Sequence, residues 1–171
     1  PLLLQQSKEN LTLVVMLINI VMLIPAIYSM ILMPKFSKYE IKASVLWGYV
    51  LPIMTCIVGV FILMYHAIEY GSDFSISLNI LLIASFGACL CSAEVLMGAY
   101  LVSIDKFGVS TGANLASIFC SIIAFYVLRQ AQYVDELFVM GLFTALSLGR
   151  VLITVVFLQH YAGRGAINVS S

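Results

Sequence analysis

Long apolar runs separated by short polar connections set the pattern of this chain. Five are present, at residues 11–33, 43–65, 76–104, 109–128 and 137–161. Each is long enough to cross a bilayer as a helix, for which about 20 apolar residues suffice. A backbone in lipid must satisfy its own polar groups, so each run predicts a helix. The third run reads SISLNILLIASFGACLCSAEVLMGAYLVSI from Ser75, and the others are organised around it. Its small residues Ala84, Gly87, Ala88, Cys91 and Gly98 follow i, i+3, i+4, i+7 spacing and share one helical face. Small residues let helix backbones approach closely in lipid. Glu94 lies on that face, so it is expected to turn toward other helices. It serves there either as a structural polar contact or as a functional group in a pathway.

The other runs add polar groups of their own. Residues 1–10 form a polar opening segment, and residues 11–161 hold the five runs. Asn19 is the one strongly polar side chain of the first run, and Pro25 falls in its middle. Proline inside a spanning helix removes a backbone hydrogen bond and permits a kink. Pro52 does the same in the second run, so both prolines are candidate hinges. Residues 34–42 start at a proline and carry Lys35, Lys38 and Lys42 with Phe36 and Tyr39. They predict a short interfacial helix or loop, which either meets anionic head groups or only sets topology. Trp47 and Tyr49 open the second run as interfacial anchors, and residues 66–74 then form an acidic, aromatic loop containing His66.

The fourth run carries two stripes. Gly112, Ala116, Cys120 and Ala124 make a small-residue packing face, while Ser110, Asn114, Ser117 and Ser121 make a polar one. The polar stripe either lines an aqueous cavity or bonds to its own helix and its neighbours. In the fifth run Gly141, Ala145 and Gly149 suit packing, and Arg150 sits near the midpoint with Ser147 and Thr154 on its side. An arginine at that depth is unfavourable by about 2.5–3.5 kcal/mol, so it needs a partner. Counting along the third and fifth runs puts Glu94 and Arg150 at similar depths, which predicts that they are close in space. Residues 162–171 form a short tail.

Composition agrees with a membrane chain. Of 171 residues, 63% are hydrophobic and 9% charged, with a mean hydropathy of +1.10. Soluble domains carry about 45–50% apolar and about 25% charged residues. The expected fold is an all-α, polytopic transmembrane bundle of five spans. Zero net charge gives no electrostatic case for nucleic acid. Cys56, Cys89, Cys91 and Cys120 all fall inside apolar runs, which argues against a disulfide framework and against a metal site. No phosphate-binding loop, zinc-protease motif or nucleophile elbow is present, so neither catalysis nor a cofactor is expected. The first run is too long for a signal peptide and lacks a cleavage pattern. The chain opens at Pro1 without a methionine, as a fragment or processed product does.

Lysine and arginine in the short connections set the orientation. Lys35, Lys38 and Lys42 lie in the first, Lys106 in the third and Arg164 in the tail. The second has none, and Arg129 in the fourth is offset by Asp135 and Glu136. The first and third connections and the C-terminus are therefore expected in the cytoplasm.

Several segments carry a family resemblance. Ile24-Pro25-Ala26-Ile27-Tyr28 through Met33-Pro34-Lys35-Phe36-Ser37 resembles the proline-then-serine helix end of polysaccharide flippases. Leu51-Pro52, followed by Tyr70-Gly71-Ser72-Asp73-Phe74, is similar to their proline-containing helix and Gly-x-x-Phe loop. Asp105-Lys106-Phe107-Gly108 is similar to their short cytoplasmic turn. The order of these motifs across residues 11–128 resembles the C-terminal part of an O-antigen type flippase, in the multidrug/oligosaccharidyl-lipid/polysaccharide exporter superfamily. The glycine-rich turn of that family before its last helix is absent, and residues 129–136 stand there instead.

The resemblance implies the last five of about twelve helices, partnered by an N-terminal half, in the bacterial cytoplasmic membrane. It implies translocation of a polyprenyl-diphosphate-linked oligosaccharide for lipopolysaccharide or another surface polysaccharide. Arg150, Glu94, Asn114, Ser117 and Ser121 are then the candidate substrate or pathway residues, with Arg150 the group to meet an anionic diphosphate. Two alternatives remain open: a cation-coupled drug or small-solute antiporter using Glu94, and a non-transporting assembly subunit.

Overall fold

The structure is a computed structural model that describes residues 2–38, 43–71, 77–104, 106–131 and 136–165. They form six helices and, among the described residues, no strand. The helices are α1 (Leu2–Val21), α2 (Leu23–Lys38), α3 (Ala43–Gly71), α4 (Leu78–Ser103), α5 (Phe107–Ala131) and α6 (Glu136–Gly165). The fold is all-α. Four stretches are long and apolar enough to cross a membrane: Leu11–Ser37, Val45–Ile68, Leu78–Ser103 and Leu137–Gln159. The first of these runs through both α1 and α2. α5 adds a shorter apolar stretch, Ser110–Ala124. Four or five such helices make a multi-pass membrane architecture.

Burial puts α4 at the centre. It packs against each of the other five helices. Its buried residues include Leu81, Ala84, Ala88, Leu96 and Leu101, which do not fit on one stripe of a helix. A helix apolar on every side is the one that others surround. The outer helices turn large apolar side chains outward, among them Ile27, Met30, Leu51, Leu63, Phe119 and Val156. Lipid accepts such surfaces as readily as a protein core does.

Proline effects differ from one site to the next. The first run is interrupted at one residue, Met22, between α1 and α2, while Met22 N–H still bonds the Ile18 carbonyl and Ala26 N–H the Met22 carbonyl. Pro25 has no N–H to give the Val21 carbonyl one turn back, and its ring crowds that carbonyl. The break therefore falls at Met22, and Pro25 itself is buried in the packed interior. Pro34 behaves otherwise. The sequence predicts an interfacial segment from Pro34, yet α2 continues through it to Lys38. Only about one turn of helix remains beyond Pro34, so the lost hydrogen bond disturbs little. α3 likewise runs unbroken through Pro52, whose ring is exposed.

α3 also extends past the expected loop start, so His66 lies in its last turns, with its ring 5.8 Å from Tyr65 and 6.1 Å from Tyr70. Residues 72–74 lie outside the described residues. The polar opening segment is helical from Leu2, and α6 continues to Gly165 in place of a tail starting at residue 162.

The lysine-bearing end of the bundle is held by aromatic rings. Phe36 at the end of α2 meets Tyr49 of α3 and Tyr100 of α4 edge-on, with centroids 5.9 and 5.7 Å away. Such edge-to-face pairs contribute about 0.5–1.5 kcal/mol each beyond area burial.

α4 and α6 form the closest crossing. Contacts advance together along both chains, from Ile83 with Thr144, through Cys91 with Ser147, to Glu94 with Arg150. The two helices are therefore parallel. Gly87 makes the approach possible: a Cβ there would sit 2.6 Å from Phe143 Cε1 and 2.9 Å from Thr144 Oγ1. Gly87→Ala should therefore force the Phe143 ring aside and cost about 1–3 kcal/mol. Gly59→Ala, where nothing lies within 4 Å, should keep stability or raise it by up to about 1 kcal/mol, since alanine suits a helix interior better than glycine. Thermal unfolding of the two variants in detergent checks this, and equal midpoints would refute the close crossing.

Candidate functional site

The α4–α6 seam carries a row of polar side chains. On α6, Thr144, Ser147 and Arg150 are spaced by three residues, which keeps them on one gradually turning face. Thr144 Oγ1 lies 3.0 Å from the Ile83 carbonyl of α4 and 2.9 Å from the Met140 carbonyl of its own helix, so its one proton is shared between them. Ser147 Oγ donates to the Phe143 carbonyl at 2.8 Å and accepts from Cys91 Sγ at 3.1 Å. Such hydrogen bonds between spans contribute about 0.6 kcal/mol each on average. All four cysteines are free thiols, so Cys91 serves here as a donor.

The row ends in an ion pair. Arg150 Nη1 donates to Glu94 Oε2 at 3.2 Å. Glu94 is nine residues before the end of Leu78–Ser103, and Arg150 is nine before the end of Leu137–Gln159. At 1.5 Å per residue that is about 14 Å of helix for both. In a hydrocarbon layer about 30 Å thick, both charges sit near the middle. Parallel helices with matched counts bring them together, as the sequence predicts.

Satisfaction of the two partners is unequal. The Glu94 side chain is 13% exposed and the Arg150 side chain 25% exposed. A guanidinium carries five N–H donors. Arg150 Nε is buried without a hydrogen-bond partner. The pair is thus held by one bond, and Arg150 keeps a buried donor unused.

α5 closes the same region from a third direction. A Cβ on Gly98 of α4 would lie 3.2 Å from Ser110 Oγ of α5. Three residues join α4 to α5, which makes the two antiparallel. Four residues back from Gly98 is Glu94, and four residues on from Ser110 is Asn114. Asn114 therefore lies at the depth of the ion pair, and it is half-buried. Ser121, also half-buried, lies two turns further along. The side chain of Ser117 lies outside the described residues. Of the small-residue stripe, Gly112, Ala116 and Cys120 are exposed and Ala124 is half-buried. The polar stripe takes the inward-facing side in its place.

The remaining candidates are apart from this centre. Lys35 is exposed at the end of α2. Lys38 is helical but its side chain, like all of Lys42, lies outside the described residues. Sequence reasoning missed Thr144 and the Cys91–Ser147 contact. The signal for Thr144 was its spacing of three and six residues from Ser147 and Arg150 on one helix.

No family model matches this chain, nor does any curated protein or any solved structure.

If Glu94 and Arg150 depend on each other, single replacements strand a charge that the double replacement removes. Glu94→Gln and Arg150→Gln should each lower stability in detergent. The double variant should be more stable than the sum of both effects predicts, with a coupling of about 0.5–3 kcal/mol. Strictly additive unfolding midpoints would refute the pairing.

Proposed function

We propose that this chain is part of a translocator that moves a polyprenyl-diphosphate-linked oligosaccharide across the bacterial cytoplasmic membrane by alternating access. One observation carries the reading. Arg150 lies near mid-membrane depth, a quarter exposed, with a single 3.2 Å bond to Glu94 and a buried Nε that has no partner. Charges at such depth mark substrate and ion pathways or structural pairs. An arginine with donors to spare suits an anionic oxygen-rich group such as a diphosphate. The half-buried Asn114 on α5 adds a polar group at the same depth. Support for the sugar-linked lipid as substrate comes from the ordered motifs at Pro34, Pro52 and Gly71.

In this reading Glu94 holds the guanidinium when no substrate is bound. The diphosphate then competes with the carboxylate for Arg150. Pro25 supports the alternating-access part of the proposal, because α1 and α2 part at Met22 within one membrane crossing. Broken helices recur where transporters rearrange. The lysine distribution orients the chain with its C-terminus in the cytoplasm.

A second reading is cation-coupled antiport of a drug or small solute, favoured by the deeper burial of Glu94 than of Arg150. The two readings separate experimentally. Deleting the gene in its own host should stop surface polysaccharide while lipid-linked repeat units still form. Complementation with Arg150→Ala should fail, and adding Glu94→Ala should not rescue it. Normal surface polysaccharide in the deletion strain would overturn the flippase reading, and rescue by the double variant would reduce the pair to a structural role.

Orientation has its own test. In a background without native cysteines, Ser72→Cys should react with a membrane-impermeant thiol reagent on intact cells and Ser37→Cys should not. The reverse pattern would invert the topology.

A further inference from the structure

A cavity lies on the side where α3 and α6 meet. These helices both pack on α4 but touch each other only sparsely. A groove of about 300 Å³ opens between them, lined by Leu46, Trp47 and Val50 of α3, Met97 of α4, and Val155, Leu158 and Gln159 of α6. Met97 and Val50 are 1% exposed, so the floor is closed. Trp47 and Gln159 carry the only N–H donors among the lining side chains.

The position of the groove narrows its contents. α3 begins and α6 ends at the same end of the bundle, where α2 also ends. Trp47 is the third residue of the stretch Val45–Ile68, and Gln159 is the last of Leu137–Gln159. Both therefore sit at interfacial depth, and the apolar residues reach inward from them. Tryptophan prefers the head-group level. Lys35, two residues before the end of Leu11–Ser37, is exposed at this same end. It puts a positive charge at this end of the bundle.

An apolar cavity does not hold water well and takes an apolar molecule instead. Left empty, its walls forfeit dispersion contacts. In a bilayer the apolar molecules at hand are acyl chains. We propose that this groove binds one membrane phospholipid, with an acyl chain between α3 and α6 and the phosphate and ester oxygens at the level of Gln159, Trp47 and Lys35. The lipid completes the α3–α6 contact that side chains leave open. This assignment stands independently of the translocation reading, because the groove lining includes neither Arg150, Glu94 nor Asn114.

Native mass spectrometry of the whole protein, extracted from vesicles of phosphatidylethanolamine and phosphatidylglycerol, tests it. One phospholipid per chain should survive detergent exchange. Val155→Trp, which fills the groove, should lose it, and Gln159→Ala should retain it several-fold more weakly. Because Val155→Trp could fail to fold, the unaltered protein is also photolabelled with a phosphatidylglycerol bearing a diazirine in its acyl chain. Labelling at Met97 and Val155 should exceed that at lipid-facing Leu63 several-fold. No retained phospholipid, equal labelling at Leu63, a polyprenyl lipid in its place, or crosslinks from the groove to another polypeptide would each overturn the proposal.

Discussion

Polar groups that cannot reach water must find each other, and in this chain that constraint acts mainly along the α4–α6 seam. In lipid the apolar surfaces have little preference for one another, so packing and hydrogen bonds decide which helices meet. Gly87 removes the side chain that would hold α6 away, since a Cβ there would overlap Phe143. Closeness then lets Thr144 reach a carbonyl of α4 and lets Ser147 reach Cys91. Arg150 is carried along the same face to Glu94. A longer distance between these helices would leave Thr144 and Ser147 bonded to carbonyls of their own helix but would strand Glu94 and Arg150. Gly87 and the side chains of Thr144, Ser147, Cys91, Arg150 and Glu94 thus fix both the register and the parallel alignment of the pair.

Much of this was legible in the sequence, for physical reasons. Helical period and membrane depth are counting arguments, and they depend on nothing outside the helix. The small face of the third run and the equal depths of Glu94 and Arg150 came from such counting. Which of several small-residue stripes packs inward did not. Gly112, Ala116 and Cys120 have the same spacing as a packing face, yet they are exposed. Spacing states that a face permits close approach, but the neighbour is chosen by whatever else competes for the space. On α5 the polar stripe faces inward, because a half-satisfied serine or asparagine is costlier against lipid than an exposed alanine.

Proline was legible only in part, and three positions show why. Each proline removes one hydrogen bond, so the sequence marks Pro25, Pro34 and Pro52 alike. The structural consequence of that loss is decided by the surroundings. Near the end of α2 the loss at Pro34 affects a single turn. Pro52 projects outward, where lipid yields to its ring. Pro25 is buried against the packed interior, and there the chain parts at Met22. Ser92 of α4, wholly buried, approaches Met22 Sδ at 3.8 Å and donates to the Ala88 carbonyl at 2.7 Å. The break is therefore seated on the central helix rather than on the periphery.

The incomplete satisfaction of Arg150 links the two transport readings to each other. A guanidinium used at one donor can exchange its partner more readily than one clamped by a bidentate carboxylate. An anion that takes Arg150 from Glu94 leaves the carboxylate to acquire water, a cation or a proton, because an isolated charge at mid-membrane depth is unfavourable. Linkage is reciprocal, so whatever neutralises Glu94 must in turn free Arg150 for the anion. In the proposed transport readings, substrate capture at Arg150 and cation uptake at Glu94 would be two halves of one exchange. A chain with only one of these charges would have no such coupling. The 3.2 Å contact between them is the point at which a coupling ion and an anionic substrate would read each other's presence.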